Sequence, residues 1–363
     1  MNIKGKITGI KYDIILTEKL KVYDLEGIDI NKLPSCCILQ NENNSYSLSK
    51  WVSPKRTRSY PFERVYNSLS SSKKITIIPI VKDEGNDGDR DFIQWDTISL
   101  MSLLDVYVIF GYYSKAVKKK NKITNQQFDN SYIISKIHEI ENYHSSSLHW
   151  NLNEINTNLH SVIDLVKLSY HNIEKDTKVK LHSFNGIDNF KKRIGVDVEL
   201  FMKFSRDKSL MAQSRELITI QPKESLSTLT KATITITNYL GGQYFLTCDE
   251  VLITNNKISL IEGKHSNNGL FPSKGDVKDG LLKMILYSNL ENVSVNEIEM
   301  ISESVLSLTS PKIKGQINTN NSDIEIENFL NDNNFTKSQL EIIKNVIKES
   351  KINKFKVQIK HSI

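Results

Sequence analysis

Residues 248–265 read CDEVLITNNKISLIEGKH, and their pattern is the most informative one for the fold of this chain. Two short apolar runs flank Asn255 and Asn256, and asparagine tolerates the positive φ that the central positions of a two-residue turn require. The stretch therefore predicts a β-hairpin with these two asparagines at its turn. In that register Thr254 is opposite Lys257, and the other pairs follow by counting outward.

The predicted register gathers charged side chains on one face of the hairpin. Because side chains alternate between the two faces of a strand, every second pair lies on the same face. Four predicted pairs share one face: Ile253 with Ile258, Val251 with Leu260, Asp249 with Glu262, and Thr247 with Lys264. This face is apolar near the turn and ionic farther from it. A one-residue shift of the turn would put Glu250 in the place of Asp249.

The opposed carboxylates of Asp249 and Glu262 need an explanation, because like charges directly opposite each other destabilise a sheet. A shared proton, the ammonium group of Lys264 or a bound divalent cation would offset the repulsion. Carboxylate oxygens favour Mg²⁺, with Mn²⁺ as a substitute. A cation held by two carboxylates beside a lysine suits phosphodiester hydrolysis, in which the lysine orients a water molecule or helps to deprotonate it. The alternative is a surface hairpin with an ordinary ion pair between Glu262 and Lys264.

The sequence around the hairpin predicts a compact α/β arrangement. Residues 232–240 alternate as a strand does, residues 275–290 have the period of a helix with Asp276 as its N-cap, and residues 297–310 predict another strand. The predicted order over 232–310 is strand, strand, strand, helix, strand.

This region resembles the PD-(D/E)XK nuclease superfamily. Cys248-Asp249 stands where the family has Pro-Asp, with Cys248 departing from the proline, and Glu262-Gly263-Lys264 matches the (D/E)-x-K motif. The chain is most similar to a type II restriction endonuclease. That resemblance implies Mg²⁺-dependent cleavage of double-stranded DNA, with Asp249 and Glu262 as metal ligands and Lys264 as the water-activating residue. His265 and Ser266 follow the lysine, either near the scissile phosphate or simply as strand-end residues.

The predicted fold class is therefore α/β (α+β): a mixed β-sheet flanked by helices, with a restriction-endonuclease-like core and added N-terminal recognition elements. We expect an N-terminal region over 1–184 with DNA-recognition and helical parts, a catalytic core over 185–310 and a C-terminal helical segment over 311–363. The regions expected in the N-terminal part are two buried strands, 75–81 and 103–113, and two amphipathic helices, 125–144 and 151–170.

A basic loop, KWVSPKRTRSYPFERVY at residues 50–66, is the predicted DNA-contacting segment. It carries Lys55, Arg56, Arg58 and Arg64 among aromatic residues, and guanidinium groups suit phosphate and guanine. A solvated basic loop is the alternative. The run VKKKNK at 117–122 is interpreted as a solvated end of a helix or strand.

Two other groups of residues give weaker predictions of a functional site. The acidic turn at residues 83–91 lacks the terminal glutamate of an EF-hand, which favours a plain loop. His144, Asn151 and His160 occur in the order of the His-Asn-His nucleases, but they fall in helical patterns, whereas that site sits on a ββα unit.

Composition and charge limit the other possibilities. The chain has 363 residues, 39% of them hydrophobic, and a net charge of +6, which permits binding to nucleic acid without requiring it. The three cysteines lack the spacing of a zinc site, and there is no Gly-rich phosphate loop. No stretch approaches the roughly 20 apolar residues of a membrane span, and no signal peptide is evident, so no membrane partner and a cytoplasmic location are expected.

The predicted function is that of a type II restriction endonuclease. A homodimer is expected, because palindromic DNA presents two equivalent strands, and so is a cognate DNA methyltransferase in the same system. The alternatives are a repair nuclease or junction resolvase of the same superfamily, and a non-catalytic DNA-binding protein whose hairpin carboxylates are structural.

Overall fold

The computed structural model describes residues 2–42, 44–55, 61–195, 198–205, 232–238 and 243–362. It confirms a mixed α/β fold with several mixed sheets. The chain forms two compact units: residues 1–18 with 209–363, called the hairpin unit, and residues 19–208, called the middle unit. These divisions differ from the expected boundaries after residues 184 and 310.

The strands, in chain order, are β1 (Asn2–Ile7), β2 (Val22–Asp24), β3 (Cys36–Gln40), β4 (Ser45–Lys50), β5 (Lys74–Pro79), β6 (Val81–Asp83), β7 (Arg90–Phe92), β8 (Val106–Gly111), β9 (Tyr113–Lys119), β10 (Lys122–Phe128), β11 (Ala232–Asn238), β12 (Gln243–Cys248), β13 (Glu250–Thr254), β14 (Lys257–His265), β15 (Glu291–Val295), β16 (Ile298–Glu299), β17 (Ile301–Ser310), β18 (Gln316–Asn318) and β19 (Lys356–His361). The helices are α1 (Pro61–Ser68), α2 (Trp95–Leu103), α3 (Asn130–Glu141), α4 (Ser147–Thr157), α5 (Leu159–Thr177), α6 (Asn185–Ile194), α7 (Lys274–Ser288), α8 (Asp323–Asp332) and α9 (Lys337–Asn353). Residues 198–205 are also helical, and Ile30–Lys32 form a short 3-10 turn.

The middle unit is built on a five-stranded sheet in the order β2-β3-β4-β5-β8. The two buried strands expected from the sequence are confirmed as β5 and β8, which pair in parallel. Every residue of β8 is buried, because helices pack on this strand. Continuous apolar runs are typical of strands covered on both faces.

The helix predicted over 125–144 is shorter in the structure. Residues 122–128 form β10, and α3 begins after Asp129, whose side chain accepts a hydrogen bond from the Tyr132 backbone N–H as an N-cap. The helix predicted over 151–170 is also divided, with Asn158 lying between α4 and α5. Both differences arise at polar residues, Asp129 and Asn158, whose capping roles cannot be read from the spacing of apolar residues.

The hairpin unit contains two five-stranded sheets, ordered β12-β11-β1-β15-β16 and β13-β14-β17-β19-β18. In the second sheet β14 runs antiparallel to β13 and parallel to β17. Helix α7 connects β14 to the strands that follow it and packs on β14 and β17. The predicted order of three strands, a helix and a strand is observed with two differences: the strand before the turn is divided into β12 and β13, and the small β15–β16 hairpin precedes β17.

Both ends of the chain contribute to the hairpin unit. Strand β1 pairs in parallel with β11, and β19 pairs in parallel with β17. The carboxylate of Glu349 in α9, which is fully buried, accepts hydrogen bonds from the Tyr12 hydroxyl at 2.8 Å and from the backbone N–H groups of Ile15 at 2.9 Å and Leu16 at 2.7 Å. The segment expected to be helical over 311–363 therefore also supplies strands.

Among the residues that the structure describes, none of the helices has the length and apolar character needed to span a membrane.

Candidate active site

The hairpin forms with the register that its turn predicts. Thr254 pairs with Lys257, Val251 with Leu260, and Glu250 with Ile261. Asn255 has a φ of 56°, whereas Asn256 does not have a positive φ, so only the first turn position uses the tolerance of asparagine. Because Glu250 pairs with Ile261, its side chain lies on the face opposite to that of Glu262.

The predicted strand pairs beyond Glu250 do not form. The ladder between β13 and β14 ends at Glu250, and Thr247 instead pairs with Thr233 of β11. Asp249 lies between β12 and β13, at the point where the chain leaves the first sheet and enters the second. Its carboxylate Oδ2 accepts a hydrogen bond of 3.0 Å from the backbone N–H of Gly263. Asp249 is thus held beside the end of β14 by one backbone contact rather than by strand pairing.

Glu262 is the buried centre of the site, with 1% of its surface exposed. Its Oε2 lies 2.7 Å from Nζ of Lys283, and its Oε1 lies 3.1 Å from Nζ of Lys264. Burial raises the pKa of Glu262, and the nearby Lys283 ammonium opposes that effect. The positive charges of the two lysines therefore offset part of the free-energy cost of burying this carboxylate.

Lys264 forms a second ion pair, with its Nζ 2.7 Å from Oδ2 of Asp279. Burial lowers the pKa of Lys264, but the carboxylates of Glu262 and Asp279 outweigh it and raise the pKa above the ordinary lysine value. Lys264 is therefore an ammonium ion at neutral pH. It is suited to holding a phosphate or a water molecule by charge, and poorly suited to removing a proton.

Lys283 and Asp279 are site residues that sequence reasoning missed. Both project from α7, one helical turn apart, and Lys283 also lies with its Nζ 3.4 Å from the carbonyl oxygen of Thr247. Burial lowers the pKa of Lys283, whereas Glu262 and then Asp249 raise it, and the net shift is upward. The sequence feature that could have identified them is an acid and a lysine one helical turn apart, on a predicted helix whose neighbouring positions are apolar.

Helix α7 can place these groups because it approaches the sheet closely. A Cβ atom at Gly280 would lie 2.7 Å from Cδ1 of Leu306 in β17 and 3.3 Å from Cε of Lys264. A side chain at this position would force the buried Leu306 side chain to shift, so glycine suits the close contact with the strands. The helix begins at Ser273 as N-cap, in a capping box with Asp276, so Asp276 is the third helical residue rather than the predicted N-cap.

Together Asp249, Glu262, Lys264, Asp279 and Lys283 form what we call the carboxylate–lysine cluster. No group of three or more His, Cys, Asp or Glu side chains able to hold a metal ion occurs within the described part of the chain. Mg²⁺ commonly keeps several water ligands and is held by one or two carboxylates. Asp249 and Glu262 provide such a pair, so the donor set is compatible with Mg²⁺ or Mn²⁺.

His265 and Ser266 lie at the end of β14 and make local contacts. The two ring nitrogens of His265 lie 2.9 Å from Oγ1 of Thr309 and 2.9 Å from Oδ1 of Asn267. The backbone N–H of Ser266 donates to the Thr309 carbonyl oxygen at 3.0 Å, and its Oγ accepts from the N–H of Gly269 at 3.0 Å. These contacts tie the strand end to β17.

The predicted DNA-contacting residues belong to the middle unit. Residues 61–66 of the expected loop form the start of α1, and Arg64 there donates from Nη1 to the Lys50 carbonyl oxygen at 2.6 Å. Burial lowers the pKa of Arg64. The side chain of Lys55 is exposed, whereas Arg56 and Arg58 lie outside the described residues.

The His-Asn-His residues are not assembled into one site. Asn151 is buried, and its amide bonds the Val108 N–H at 2.8 Å and the Val106 carbonyl at 3.0 Å. His144 is exposed between α3 and α4, and Nε2 of His160 contacts the carbonyl oxygen of Gly195. Asn151 therefore completes backbone hydrogen bonding in the core.

The acidic turn at 83–91 is a hairpin joining β6 to β7. Asp83 is buried there, and its Oδ1 accepts from the Gly85 N–H at 2.8 Å and lies 2.8 Å from Nδ1 of His182. These contacts give Asp83 a structural role in the turn.

The carboxylate–lysine cluster thus gathers five charged side chains around the predicted motif, with Glu262 buried and the other four partly exposed. Its chemistry combines two carboxylates that can hold a hard cation with two ammonium groups that can offset negative charge. Comparison of the chain with protein-family models, with curated proteins and with solved structures found no match.

Proposed function

We propose that this protein is a Mg²⁺-dependent endonuclease that cleaves double-stranded DNA at specific sequences, as type II restriction endonucleases do. One observation carries the proposal: the carboxylates of Asp249 and Glu262 and the ammonium groups of Lys264 and Lys283 come together where β12 gives way to β13. Two acids and a lysine at a strand end, beside a helix, suit hydrolysis of a phosphodiester.

The strand topology supports a core like that of the PD-(D/E)XK superfamily. Three consecutive strand segments, β11, β12–β13 and β14, run antiparallel to their sequence neighbours, and β17 returns parallel to β14 after α7. The motif residues lie in the middle of this arrangement. These positions support the proposal.

Each residue of the cluster has a distinct role in the proposal. Asp249 and Glu262 would hold Mg²⁺, which when bound stabilises charge on the phosphate and lowers the pKa of a water ligand. Lys264 supplies a fixed positive charge for the phosphate or the attacking water, and Asp279 positions it through the 2.7 Å ion pair. Lys283 opposes the effect of burial, which raises the pKa of Glu262.

The remaining parts of the proposal concern partners and location. Sequence-specific cleavage of palindromic sites is most simply achieved by a homodimer with one cluster on each strand. A restriction enzyme also needs a cognate DNA methyltransferase to protect the host DNA. Both partners, and a cytoplasmic location, belong to the proposed function.

The test is cleavage of a mixed-sequence plasmid in the presence of Mg²⁺. The wild-type chain should give discrete fragments, and chelation of the metal should stop the reaction. Glu262→Gln and Asp249→Asn should abolish cleavage, whereas Glu250→Gln should leave it unchanged because Glu250 lies on the opposite face. The Glu250 variant is a matched control for loss of one carboxylate near the turn.

The other outcomes separate the alternatives. A smear of products, or preferential cutting of branched substrates, would point to a repair nuclease or junction resolvase. Binding of DNA without cleavage under any divalent cation would point to a non-catalytic DNA-binding protein. Either result would contradict sequence-specific restriction.

A further inference from the structure

The middle unit carries a basic β-ribbon, a separate two-stranded sheet made of β9 and β10. The strands are joined by a two-residue turn, Lys120-Asn121, in which Lys120 has a φ of 58°. Residues 113–128 include five lysines and no acidic residue: Lys115, Lys118, Lys119, Lys120 and Lys122. The side chains of all five are exposed.

The arrangement of these lysines is unfavourable for the ribbon by itself. Lys119 pairs directly with Lys122, and like charges directly opposite each other destabilise a strand pair. Within the described ranges, no ion pair joins any of the five ammonium groups to a carboxylate. The repulsion is therefore not offset within this part of the protein.

The ribbon is anchored at both of its ends despite this repulsion. The rings of Tyr113 and Phe128 stack with their centroids 4.6 Å apart, and Ser169 of α5 donates to the Tyr113 carbonyl oxygen at 2.7 Å. Gln126 donates to the Asp83 carbonyl oxygen at 2.6 Å, and the Ile123 N–H donates to the Glu84 carbonyl at 3.1 Å. The lysines are thus presented on a backbone that is already ordered, which lowers the entropy cost of binding.

Positive charge extends from the ribbon to its surroundings. A cavity of about 700 Å³ beside the turn is lined by four lysines, including Lys119 and Lys122, and by two carboxylates, Glu84 and Asp87. Of the two carboxylates, Glu84 already forms an ion pair with Lys82, another lysine of the lining, at 2.9 Å. The lining therefore keeps an excess of positive charge next to the ribbon.

We infer that the β9–β10 ribbon is a DNA-contacting element that binds the phosphate backbone of a duplex. Lysines neutralise phosphates and release condensed counterions, which favours binding. A two-stranded ribbon also fits the major groove of B-form DNA. The choice of duplex DNA as the polyanion rests on the proposed function. The expectation that the ribbon binds a polyanion depends only on its geometry and charge. The run 117–122, interpreted from sequence as a solvated end, is on this inference a binding surface.

The experiment measures DNA binding by the full chain with the metal chelated, so that cleavage does not interfere. The test variant replaces Lys115, Lys119 and Lys122 with glutamine. The matched control replaces Lys19, Lys21 and Lys175, three exposed lysines of the same unit, in the same way. Circular dichroism and thermal unfolding should show that both variants fold as the wild type does.

The readout is the salt dependence of affinity for a labelled mixed-sequence duplex. Each lost phosphate contact should reduce the magnitude of the negative slope of log K against log salt concentration by about 0.9. The slope of the ribbon variant should therefore be smaller in magnitude by roughly 2–3, and that of the control variant should change much less. Equal slopes for the two variants would overturn the inference. Loss of binding to single-stranded RNA or to anionic vesicles, with duplex binding unchanged, would overturn DNA as the partner.

Cleavage assays on the same proteins separate the two proposals. If the ribbon variant bound and cut DNA as the wild type does, the ribbon would have no role in DNA binding, and the nuclease proposal would be unaffected. A wild-type protein that binds DNA through the ribbon but never cuts it would leave the ribbon inference standing and overturn the nuclease.

Discussion

Nζ of Lys283 lies 2.7 Å from Oε2 of Glu262, although the two residues come from different elements, α7 and β14. Glu262 is 1% exposed, so its charge depends on the two lysines that contact it. This pair joins the helix to the hairpin and sets the electrostatics of the candidate site.

We first predict a large loss of stability in Glu262→Ala. The substitution leaves Lys283 buried without its main counter-ion, and breaking a buried ion pair from one side typically costs about 3–5 kcal/mol. Chemical denaturation of the hairpin unit measures the change. Glu303→Ala is the control, because Glu303 is partly exposed in its pair with Lys356, and such pairs are worth roughly 0–1 kcal/mol. Equal effects in the two variants would contradict the buried role of Glu262.

The second prediction concerns pH. Lys283→Met removes a charge that opposes the burial-induced rise in the pKa of Glu262, so that pKa should rise further. Between the ordinary value of 4.5 and the raised value, the folded state binds the proton more tightly than the unfolded state does, and stability falls as pH rises. The destabilisation by Lys283→Met should therefore be larger at neutral than at mildly acidic pH. Lys356→Met should show no such trend, and a penalty for Lys283→Met that is independent of pH would count against the coupling.

The third prediction separates charge from proton transfer at Lys264. Because Glu262 and Asp279 raise the pKa of Lys264, its ammonium form should be the one that acts. Lys264→Met should lower the cleavage rate by about 10²–10³, as loss of one electrostatic stabiliser commonly does, and Lys264→Arg should recover part of that loss. Single-turnover cleavage of plasmid measures both. If the arginine variant were no better than the methionine variant, a requirement for charge alone would be ruled out.

Asp279 should act as a positioning residue. Asp279→Asn removes a charge that raises the pKa of Lys264, so the pKa of that lysine should fall, and the cleavage rate should fall less than in Lys264→Met. NMR titration of a labelled lysine follows the pKa independently of activity. An unchanged Lys264 pKa would show that Asp279 has only a structural role.

The final prediction tests the turn. Asn255 has a φ of 56°, so Asn255→Val should destabilise the hairpin by about 1–2 kcal/mol, and Asn255→Gly should be tolerated. Asn256→Val is the matched control, because Asn256 does not have a positive φ. Chemical denaturation compares the three variants. A larger effect at Asn256 than at Asn255 would mean that the turn is set differently in solution.

Local sequence features determined much of the hairpin and of its surroundings. The asparagine turn and the alternating apolar residues predicted the pairing of β13 with β14, from Thr254 opposite Lys257 to Val251 opposite Leu260. Continuous apolar runs predicted β5 and β8. These predictions succeeded because turn chemistry and side-chain alternation act between residues that are close in the chain.

The remaining residues of the candidate site are brought together by contacts between distant segments of the chain. Glu262 and Lys283 are 21 positions apart, and their contact depends on how closely α7 approaches the sheet at Gly280. The end of the ladder at Asp249 depends on β12 pairing with β11 in another sheet, and β1 joins that sheet from the far end of the chain. Local periodicity carries no information about such contacts, because packing between distant segments chooses them. The two carboxylates and the lysine of the motif are therefore recognisable from local sequence, whereas the packing of distant segments sets which charges surround them.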